Sequence, residues 1–453
     1  MKIKKIIITC AASCFTIFPA FAQENKDDSI FDFGGDIRIR FESKDNWPNG
    51  GTSTANDTYS DWTRYRTKIW GQAKVEDFTL FLKLGNEFKK FRKTPNNDKQ
   101  KFPDELYVDN LFVEWEGDLY GAKIGRQDLQ IGSGRLFADG TPGDGSRSAF
   151  FDAIILSRKF SNDSKSKVQL LGIWNHYRNE LGIGRTKGGV YDMTAIKPGN
   201  PYSKMDEAAI GFYLTVRENE QIPLDFYWIW KIEDDFYSRE DKYPGRNFHT
   251  AGIRAIPKFN NWLSAETEAA YQFGRVDSME DLKSRDISAF MFYGGLTGKT
   301  SEDTIFKPRL TLATLFLSGD KDNFYGTADG STDNGWNTVF NRMPWVSEIG
   351  LSMYEGARWS NLVHPYAELL LEPYDDHKVA LTCGPMYAAR KNYDAKGYHR
   401  GILAKAGYNF PLMNKAGIEF RGGMLCEFLN YGSYFEAPKS TATFLRLEIT
   451  AKF

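Results

Sequence analysis

The 453-residue sequence contains only four cysteines and five histidines. No stretch after residue 22 stays apolar over the roughly 18 residues that a membrane-spanning helix needs, which excludes a helical membrane protein. The charges nearly cancel, with 58 Lys and Arg against 59 Asp and Glu, so the chain lacks the basic excess of a nucleic-acid-binding protein. No Gly-x-Ser-x-Gly, His-Glu-x-x-His or Walker motif occurs, and the histidines form no recognisable catalytic pattern.

The beginning of the chain is typical of an export signal. Residues 1–5 are basic, residues 6–18 are apolar, and Ala20-Phe21-Ala22 is a small-x-small cleavage site. We therefore expect a secretory signal peptide over residues 1–22 and a single mature domain over residues 23–453. Removal of the signal leaves a net charge of −4, because the segment holds three lysines and no acid.

The last residues of the chain alternate strictly between apolar and polar side chains. Leu445, Leu447, Ile449, Ala451 and Phe453 take one face of a strand, and mainly charged residues take the other. Such a strand is long enough to cross a membrane, which requires roughly 9–11 residues. Its terminal aromatic residue resembles the end of bacterial outer-membrane barrels, which implies that Phe453 contacts the barrel-assembly machinery.

Similar period-two segments occur along the whole chain, and we count eighteen, from Phe33–Glu42 to Thr441–Phe453. Short turns such as Glu76-Asp77 and Gly117-Asp118 alternate with long polar loops. This asymmetry predicts an all-β fold: a transmembrane antiparallel barrel of about 18 strands with short periplasmic turns and long extracellular loops. The predicted location is the outer membrane of a Gram-negative cell, and a large secreted β protein is the alternative.

Several motifs occur in a fixed order that resembles the alginate-export family of outer-membrane barrels. They are Glu105-Leu-Tyr-Val-Asp-Asn-Leu-Phe-Val-Glu-Trp115, Ile124-Gly-Arg-Gln-Asp-Leu129, Gly134-Arg-Leu136, Ser146-Arg-Ser-Ala-Phe-Phe-Asp152, Leu317-Ser-Gly-Asp320, Thr338-Val-Phe340 and Trp359-Ser-Asn-Leu362. The resemblance implies an eighteen-stranded barrel with a narrow, arginine-rich lumen for an anionic polysaccharide, alginate. Other members of the family pass other anionic or small solutes.

Charged residues on the wet faces of the strands and in one loop are the candidate pore-lining and substrate-binding residues. They are Arg38, Arg40, Arg64, Arg66, Lys68, Glu114, Lys123, Arg126, Arg135, Arg147, Arg254, Arg309 and Arg446. The densest cluster comes from Arg38 and Arg40 on the first strand and Arg64 and Arg66 on the second. A guanidinium group matches a carboxylate, so this cluster is able to relay an anion. The alternative is that acids on neighbouring strands pair with these arginines and brace the wall.

Arg126 has the wrong parity for the lumen, because it shares its side with Ala122 and Ile124. The family resemblance implies a lumen position, which a bulge at Gly125 would provide. The loop over residues 129–148, which contains Arg135 and Arg147, either constricts the pore or lies exposed at the surface.

The loop after residue 317 carries Asp320 and Asp322, whose oxygens are of the kind that calcium uses. The full spacing of a calcium loop is absent, and a solvated acidic loop is the alternative. We expect no cofactor and no catalytic residue.

These patterns together predict a channel for the passive diffusion of anionic solutes, including uronate poly- or oligosaccharides. A general porin for small neutral or mixed solutes is one alternative, and an outer-membrane barrel enzyme or receptor is another. The expected partners are outer-membrane lipid, the assembly machinery and an anionic saccharide or small solute, with no nucleic acid.

Overall fold

A computed structural model describes residues 30–48, 59–93, 105–138, 150–176, 181–187, 190–192, 205–238, 241–280, 282–320, 332–341, 343, 345–351, 353, 359–391, 395–436 and 441–453. The predicted signal peptide over residues 1–22 lies outside them. No helix in the described part of the chain is long and apolar enough to span a membrane.

The described residues contain 22 strands and one short helix. In chain order they are β1 (Phe31–Asp45), β2 (Tyr59–Val75), β3 (Phe78–Lys93), β4 (Glu105–Glu116), β5 (Tyr120–Gln127), β6 (Phe151–Lys159), β7 (Lys167–Asn175), β8 (Gly182–Lys187), β9 (Val190–Asp192), β10 (Glu207–Val216), β11 (Leu224–Glu233), β12 (Phe236–Ser238), β13 (Asp241–Tyr243), β14 (Arg246–Ala255), β15 (Leu263–Val276), β16 (Arg285–Lys299), β17 (Arg309–Leu317), α1 (Glu348–Leu351), β18 (Leu362–Leu371), β19 (Lys378–Tyr387), β20 (His399–Lys415), β21 (Ile418–Tyr431) and β22 (Ala442–Lys452).

Eighteen of these strands close into one antiparallel barrel. Each pairs with the strands before and after it in the wall, and β22 returns to pair with β1, with Arg40 opposite Glu448. The four remaining strands form two hairpins in long loops, β8–β9 and β12–β13. Strand β8 also pairs with the first residues of β4, Glu105 to Tyr107. The prediction of an antiparallel barrel with about 18 strands is confirmed.

Successive side chains of each strand point to opposite faces of the barrel wall. On β1, Ile39 is 51% exposed on the outside of the barrel, whereas Arg38 and Arg40 on either side of it point inward and are buried. The same alternation runs through β2, where Ile69 is exposed and Lys68 is buried. The exposed apolar face is the surface that a membrane covers, and the inward face carries the charges.

The two rims of the barrel differ in the length of their connections. At one rim the turns are tight: Glu76 and Asp77 join β2 to β3, and Ala416 and Gly417 join β20 to β21. Glu76, Ala416 and Gly417 have positive φ, as short hairpin turns require. The opposite rim carries the long connections, including residues 128–150 and 318–361. This is the predicted asymmetry between periplasmic turns and extracellular loops.

The hydrophobic core lies inside the barrel, where parts of two long loops fold into the lumen. One segment covers residues 129–138, after β5, and the other covers the described residues from 332 to 361, after β17. Their fully or nearly fully buried apolar residues form one cluster with the inward faces of the wall; its loop members are Leu129, Ile131, Leu136, Phe137, Trp336, Val339, Phe340, Met343, Ile349, Met353 and Trp359. We call these segments the first and the second lumen segment.

Candidate functional site

The predicted arginine cluster lies on the inner wall of the barrel at β1 and β2. Arg38 is directly opposite Arg66, and Arg40 is directly opposite Arg64, so four guanidinium groups occupy two cross-strand pairs on one face. All four side chains are largely buried within the lumen. Like charges directly opposite each other destabilise a sheet, so this arrangement requires compensating carboxylates nearby.

Four carboxylates supply this compensation. Glu42 accepts a hydrogen bond of 2.9 Å from Arg64 Nε and lies 3.9 Å from Arg40. Glu448, across the seam on β22, lies 2.6 Å from Arg40. The other two contacts join Asp36 to Arg66 at 2.7 Å and Glu87 to Arg64 and Arg38 at 3.3 and 3.9 Å. The paired charges are what the bracing interpretation predicts. The opposed arginines remain the feature on which the anion-relay interpretation depends.

The basic wall continues from β2 onto β3 through two lysines, Lys68 and Lys83, which share a buried acid on β4. Lys68 lies 2.8 Å from Asp109, and Lys83 lies 3.1 Å from the same carboxylate and 2.9 Å from Asp128. The register between β3 and β4 shifts at this point, which leaves Asp109 unpaired in the ladder. Such a bulge turns a side chain away from strict alternation, and here it brings a buried acid to the two lysines.

A second charged cluster lies on the opposite wall, at β11, β14 and β15. Arg254 contacts Asp225 at 3.0 Å and Glu266 at 2.9 Å. Glu268, two residues further along β15, accepts a hydrogen bond of 3.0 Å from the Tyr227 hydroxyl. Since β14 stands nine strand positions from β1 in the eighteen-stranded wall, the two clusters face each other across the lumen.

Arg135 belongs to the first lumen segment and joins it to this opposite wall. Its Nη1 atom donates hydrogen bonds of 2.7 Å to Glu266 and to Glu268, and its guanidinium lies 3.5 Å from the centre of the Tyr293 ring. Burial disfavours the charged form, but Glu268 and Glu266 outweigh that effect and hold the pKa of Arg135 above its ordinary value. The loop over residues 129–148 is thus not an exposed surface loop in its described part; it constricts the lumen.

The second lumen segment contacts the wall at many points. Lys231 donates to the Val339 carbonyl, Gln272 donates to the Asn337 carbonyl, and Arg246 binds Asp333 at 2.7 Å. On the other side of the barrel three further contacts hold α1. They join Glu427 to Ser347, Glu427 to the backbone N–H of Ile349, and Arg446 to Glu348.

The two lumen segments also pack on each other. Phe137 and Phe340 form a parallel β-bridge, and their rings stack with centroids 5.7 Å apart. Asn341 donates a hydrogen bond to the carbonyl of Gly134. The motifs Gly134-Arg-Leu136, Thr338-Val-Phe340 and Trp359-Ser-Asn-Leu362 therefore lie within or beside one constriction, although about 200 residues separate the first from the others. The apolar residues of these long loops were a sequence signal for burial that strand periodicity overlooked.

Arg126 does not point into the lumen. It is opposite Leu111 on β4 and Asp152 on β6, and it shares the outward face with Ile124. The strand keeps its parity at Gly125, so the expected inward turn does not occur, and the lumen position implied by the resemblance is wrong. Arg126 instead forms a bidentate ion pair with Asp152, with both contacts at 2.8 Å.

The remaining predicted residues lie in several places. Lys123 and Glu114 face the lumen 3.6 Å apart, and Arg446 joins Glu42 to Glu348 of the second lumen segment. Arg309 lies exposed at the short-turn end of β17, away from both clusters.

Arg147 and Asp322 lie outside the described residues. Asp320 accepts a hydrogen bond from the Asn334 backbone N–H, and no group of three or more metal-binding side chains occurs in the described part of the chain.

The comparisons with known proteins agree with this architecture. Residues 29–401 match the family described as alginate export. The chain belongs to the alginate export family. The membership that the motifs predicted is confirmed, and together with the closed barrel it establishes an outer-membrane channel. A search of the curated proteins finds no match.

Three solved structures from two bacteria illustrate the shared fold. OccAB1 from Acinetobacter baumannii is 9% identical with a TM-score of 0.56, and the alignment covers 95% of this chain and 99% of that one. OccK11 (OpdR) from Pseudomonas aeruginosa is 10% identical with a TM-score of 0.55, covering 93% and 96%. The outer membrane protein opdK from Pseudomonas aeruginosa is 10% identical with a TM-score of 0.52, covering 93% and 98%. At these identities the likeness concerns the fold alone.

Proposed function

We propose that this channel passes anionic solutes by passive diffusion and that carboxylate-bearing saccharides of the uronate class, such as alginate, are among them. The observation that carries the proposal is the pair of directly opposed arginines, Arg38 with Arg66 and Arg40 with Arg64, on the lumen wall. A sheet gains no stability from two such like-charged pairs, so their placement favours a role toward a solute.

The physical mechanism is the exchange of ion-pair partners. Arg66 and Asp36 keep 14% and 21% of their side-chain surface exposed, and Glu448 keeps 23%, so the solvent in the lumen reaches this wall. A carboxylate solute can replace a wall carboxylate at a guanidinium group, because both offer the same planar pair of acceptor oxygens. The next arginine lies one cross-strand pair away, so the solute moves between equivalent sites without covalent chemistry.

A general porin for small neutral or mixed solutes is the second candidate function. The observation in its favour is that each of the four arginines already contacts an acid of the wall at 3.9 Å or less. If these pairs persist during permeation, the wall is electrically balanced and the arginines act as braces. The two candidates therefore differ in whether the guanidinium groups are available to a permeating anion.

Reversal potentials in a salt gradient across planar bilayers distinguish them. The test variant carries Arg38→Gln and Arg66→Gln. The matched control carries Arg92→Gln and Arg275→Gln, which remove two exposed arginines whose side chains are 53% and 67% accessible. The proposal expects anion selectivity in the wild-type channel and in the control, and its loss in the test variant. Equal selectivity in the two variants, or equal permeation of uronate and neutral sugars in the wild type, would overturn it.

A further inference from the structure

An apolar groove of about 690 Å³ lies on the outside of the barrel, across β5, β6, β7, β10 and β11. It has the size of an ordinary small-molecule site, but it opens toward the membrane. Its apolar walls come from outward-facing side chains, namely Ile124, Ile154, Trp174, Ile210, Trp230 and Ile232. Trp174 is 64% exposed, which makes it an accessible wall of the groove.

The groove lies near the rim that carries the long loops. Its wall residues Ile124, Ile154, Trp174 and Ile210 are no more than three residues from the loop-side ends of their strands. At about 3.3 Å per residue, this places the groove within roughly 10 Å of the extracellular edge of the wall. The groove therefore faces the outer leaflet, and its surface is continuous with the lipid-covered face of the barrel.

One end of the groove is polar, which is unusual on a lipid-facing surface. Arg126 and Asp152 form their bidentate pair there, and both residues line the groove. The Arg126 guanidinium lies 3.6 Å from the centre of the Phe150 ring and is almost fully covered. The Asp152 carboxylate keeps 33% of its side-chain surface exposed. An accessible acceptor thus stands at the end of an apolar groove.

We propose that this groove binds an acyl chain of a saccharide-based lipid of the outer leaflet, with the first carbons of the chain beside Asp152. An ionised carboxylate only accepts hydrogen bonds, so its ligand must offer an N–H or O–H group. Amide-linked and hydroxylated acyl chains, as in lipid A, carry such donors next to the headgroup, whereas an ester-linked phosphoglyceride chain carries none. The apolar walls bury the chain, and Asp152 selects the linkage.

Native mass spectrometry of the purified barrel in a mild detergent tests this site, with two probes: lipid A, and a phosphatidylcholine, which carries no N–H or O–H donor. The test variant is Ala208→Phe, which fills the groove from β10. The matched control is Ala251→Phe, which adds the same ring on the same lipid face, between Trp228 and Tyr271. We expect one saturable lipid A per barrel in the wild type and the control, and retention reduced roughly tenfold in the test variant.

Three results would overturn the proposal. The first is equal retention of lipid A by both variants, and the second is equal retention of the two probes by the wild type. The third is a wild-type dimer that Ala208→Phe abolishes, because that result would make the groove a contact between copies of the chain. Heat-modifiable gel mobility reports whether each variant is folded. If Ala208→Phe is not folded, Trp174→Ala replaces it as the test variant, because this change removes one exposed wall of the groove. The site lies outside the lumen, so ion conductance stays unchanged in either variant.

Discussion

Arg135 on the first lumen segment and Glu268 on β15 are joined by a hydrogen bond of 2.7 Å. This contact ties a loop that leaves the wall at β5 to a strand six positions further around the barrel. Ser133 of the same segment donates a second bond, of 2.6 Å, to the Glu268 carboxylate. The loop therefore spans part of the lumen and narrows it, and the open cross-section depends on these contacts.

Arg135→Gln should raise the single-channel conductance and lower the anion selectivity. The change removes the ion pairs with Glu266 and Glu268 and the stacking on Tyr293, which releases the first lumen segment from the wall. Breaking a buried pair by removal of one partner costs about 3–5 kcal/mol, enough to detach a loop. The measurement is single-channel recording, with Arg275→Gln as the control. Unchanged conductance would show that the segment stays in place without Arg135.

Gly132→Ala should displace the same segment by a different route. Gly132 has a φ of 63°, and a Cβ atom there would overlap the Tyr213 hydroxyl, which donates to Asp225. Gly417→Ala is a matched control, because its φ is 79° but nothing lies within 4 Å of the added Cβ. Both changes carry the backbone cost of about 1 kcal/mol for a non-glycine residue at positive φ. We expect higher conductance in the first variant alone, and equal behaviour would contradict the predicted contact.

Glu427→Leu should loosen the second lumen segment. The Glu427 carboxylate accepts hydrogen bonds from the Ser347 hydroxyl and from the backbone N–H groups of Glu348 and Ile349. Leucine leaves these donors without an acceptor, at a cost of about 1–3 kcal/mol each when they remain buried. Limited proteolysis from outside should then cleave near residues 345–351. Glu427→Gln, which keeps one acceptor oxygen, should restore part of the resistance to proteolysis. Equal resistance of Glu427→Leu and the wild type would show that Glu427 does not hold the second lumen segment.

Glu42→Gln should destabilise the barrel and increase its preference for anions. Glu42 is buried, and its carboxylate is shared by Arg64, Arg446 and the Trp62 indole N–H. Loss of its charge leaves the arginines of the seam with excess positive charge, at a cost of about 3–5 kcal/mol. The unfolding temperature by heat-modifiable mobility and the reversal potential measure the two effects. The control is Glu436→Gln at an exposed loop position, and equal unfolding temperatures for the two variants would contradict the prediction.

The anion selectivity of the wild-type channel should fall as the salt concentration rises. Screening shortens the range of the wall charges from about 10 Å at 0.1 M to about 3 Å at 1 M. The measurement is the permeability ratio of chloride to potassium at both concentrations. A variant with Arg38, Arg40, Arg64 and Arg66 all changed to Gln should show little salt dependence. Selectivity that persists at 1 M would indicate close ion binding instead of a wall potential.

The local sequence by itself determined the wall of this protein. Side chains on a strand alternate with a period of two, so the residues that face lipid and those that face the lumen were readable from short segments such as Leu445–Phe453. The count of such segments gave the number of strands, and the alternation of short turns with long loops gave their orientation. Parity even placed Arg126 correctly on the outer face, where the family resemblance had implied the lumen.

Only the tertiary structure decided the interior. Arg135 and Glu268 are 133 residues apart, and Phe137 and Phe340 are 203 residues apart, so no local pattern predicts that they meet. A loop has no fixed period, and its position depends on which distant wall groups satisfy its charges and backbone. For the same reason the sequence revealed the arginines of β1 and β2 but not the carboxylates that each of them contacts. Closure of the barrel brings those groups together, and closure is a property of the whole chain.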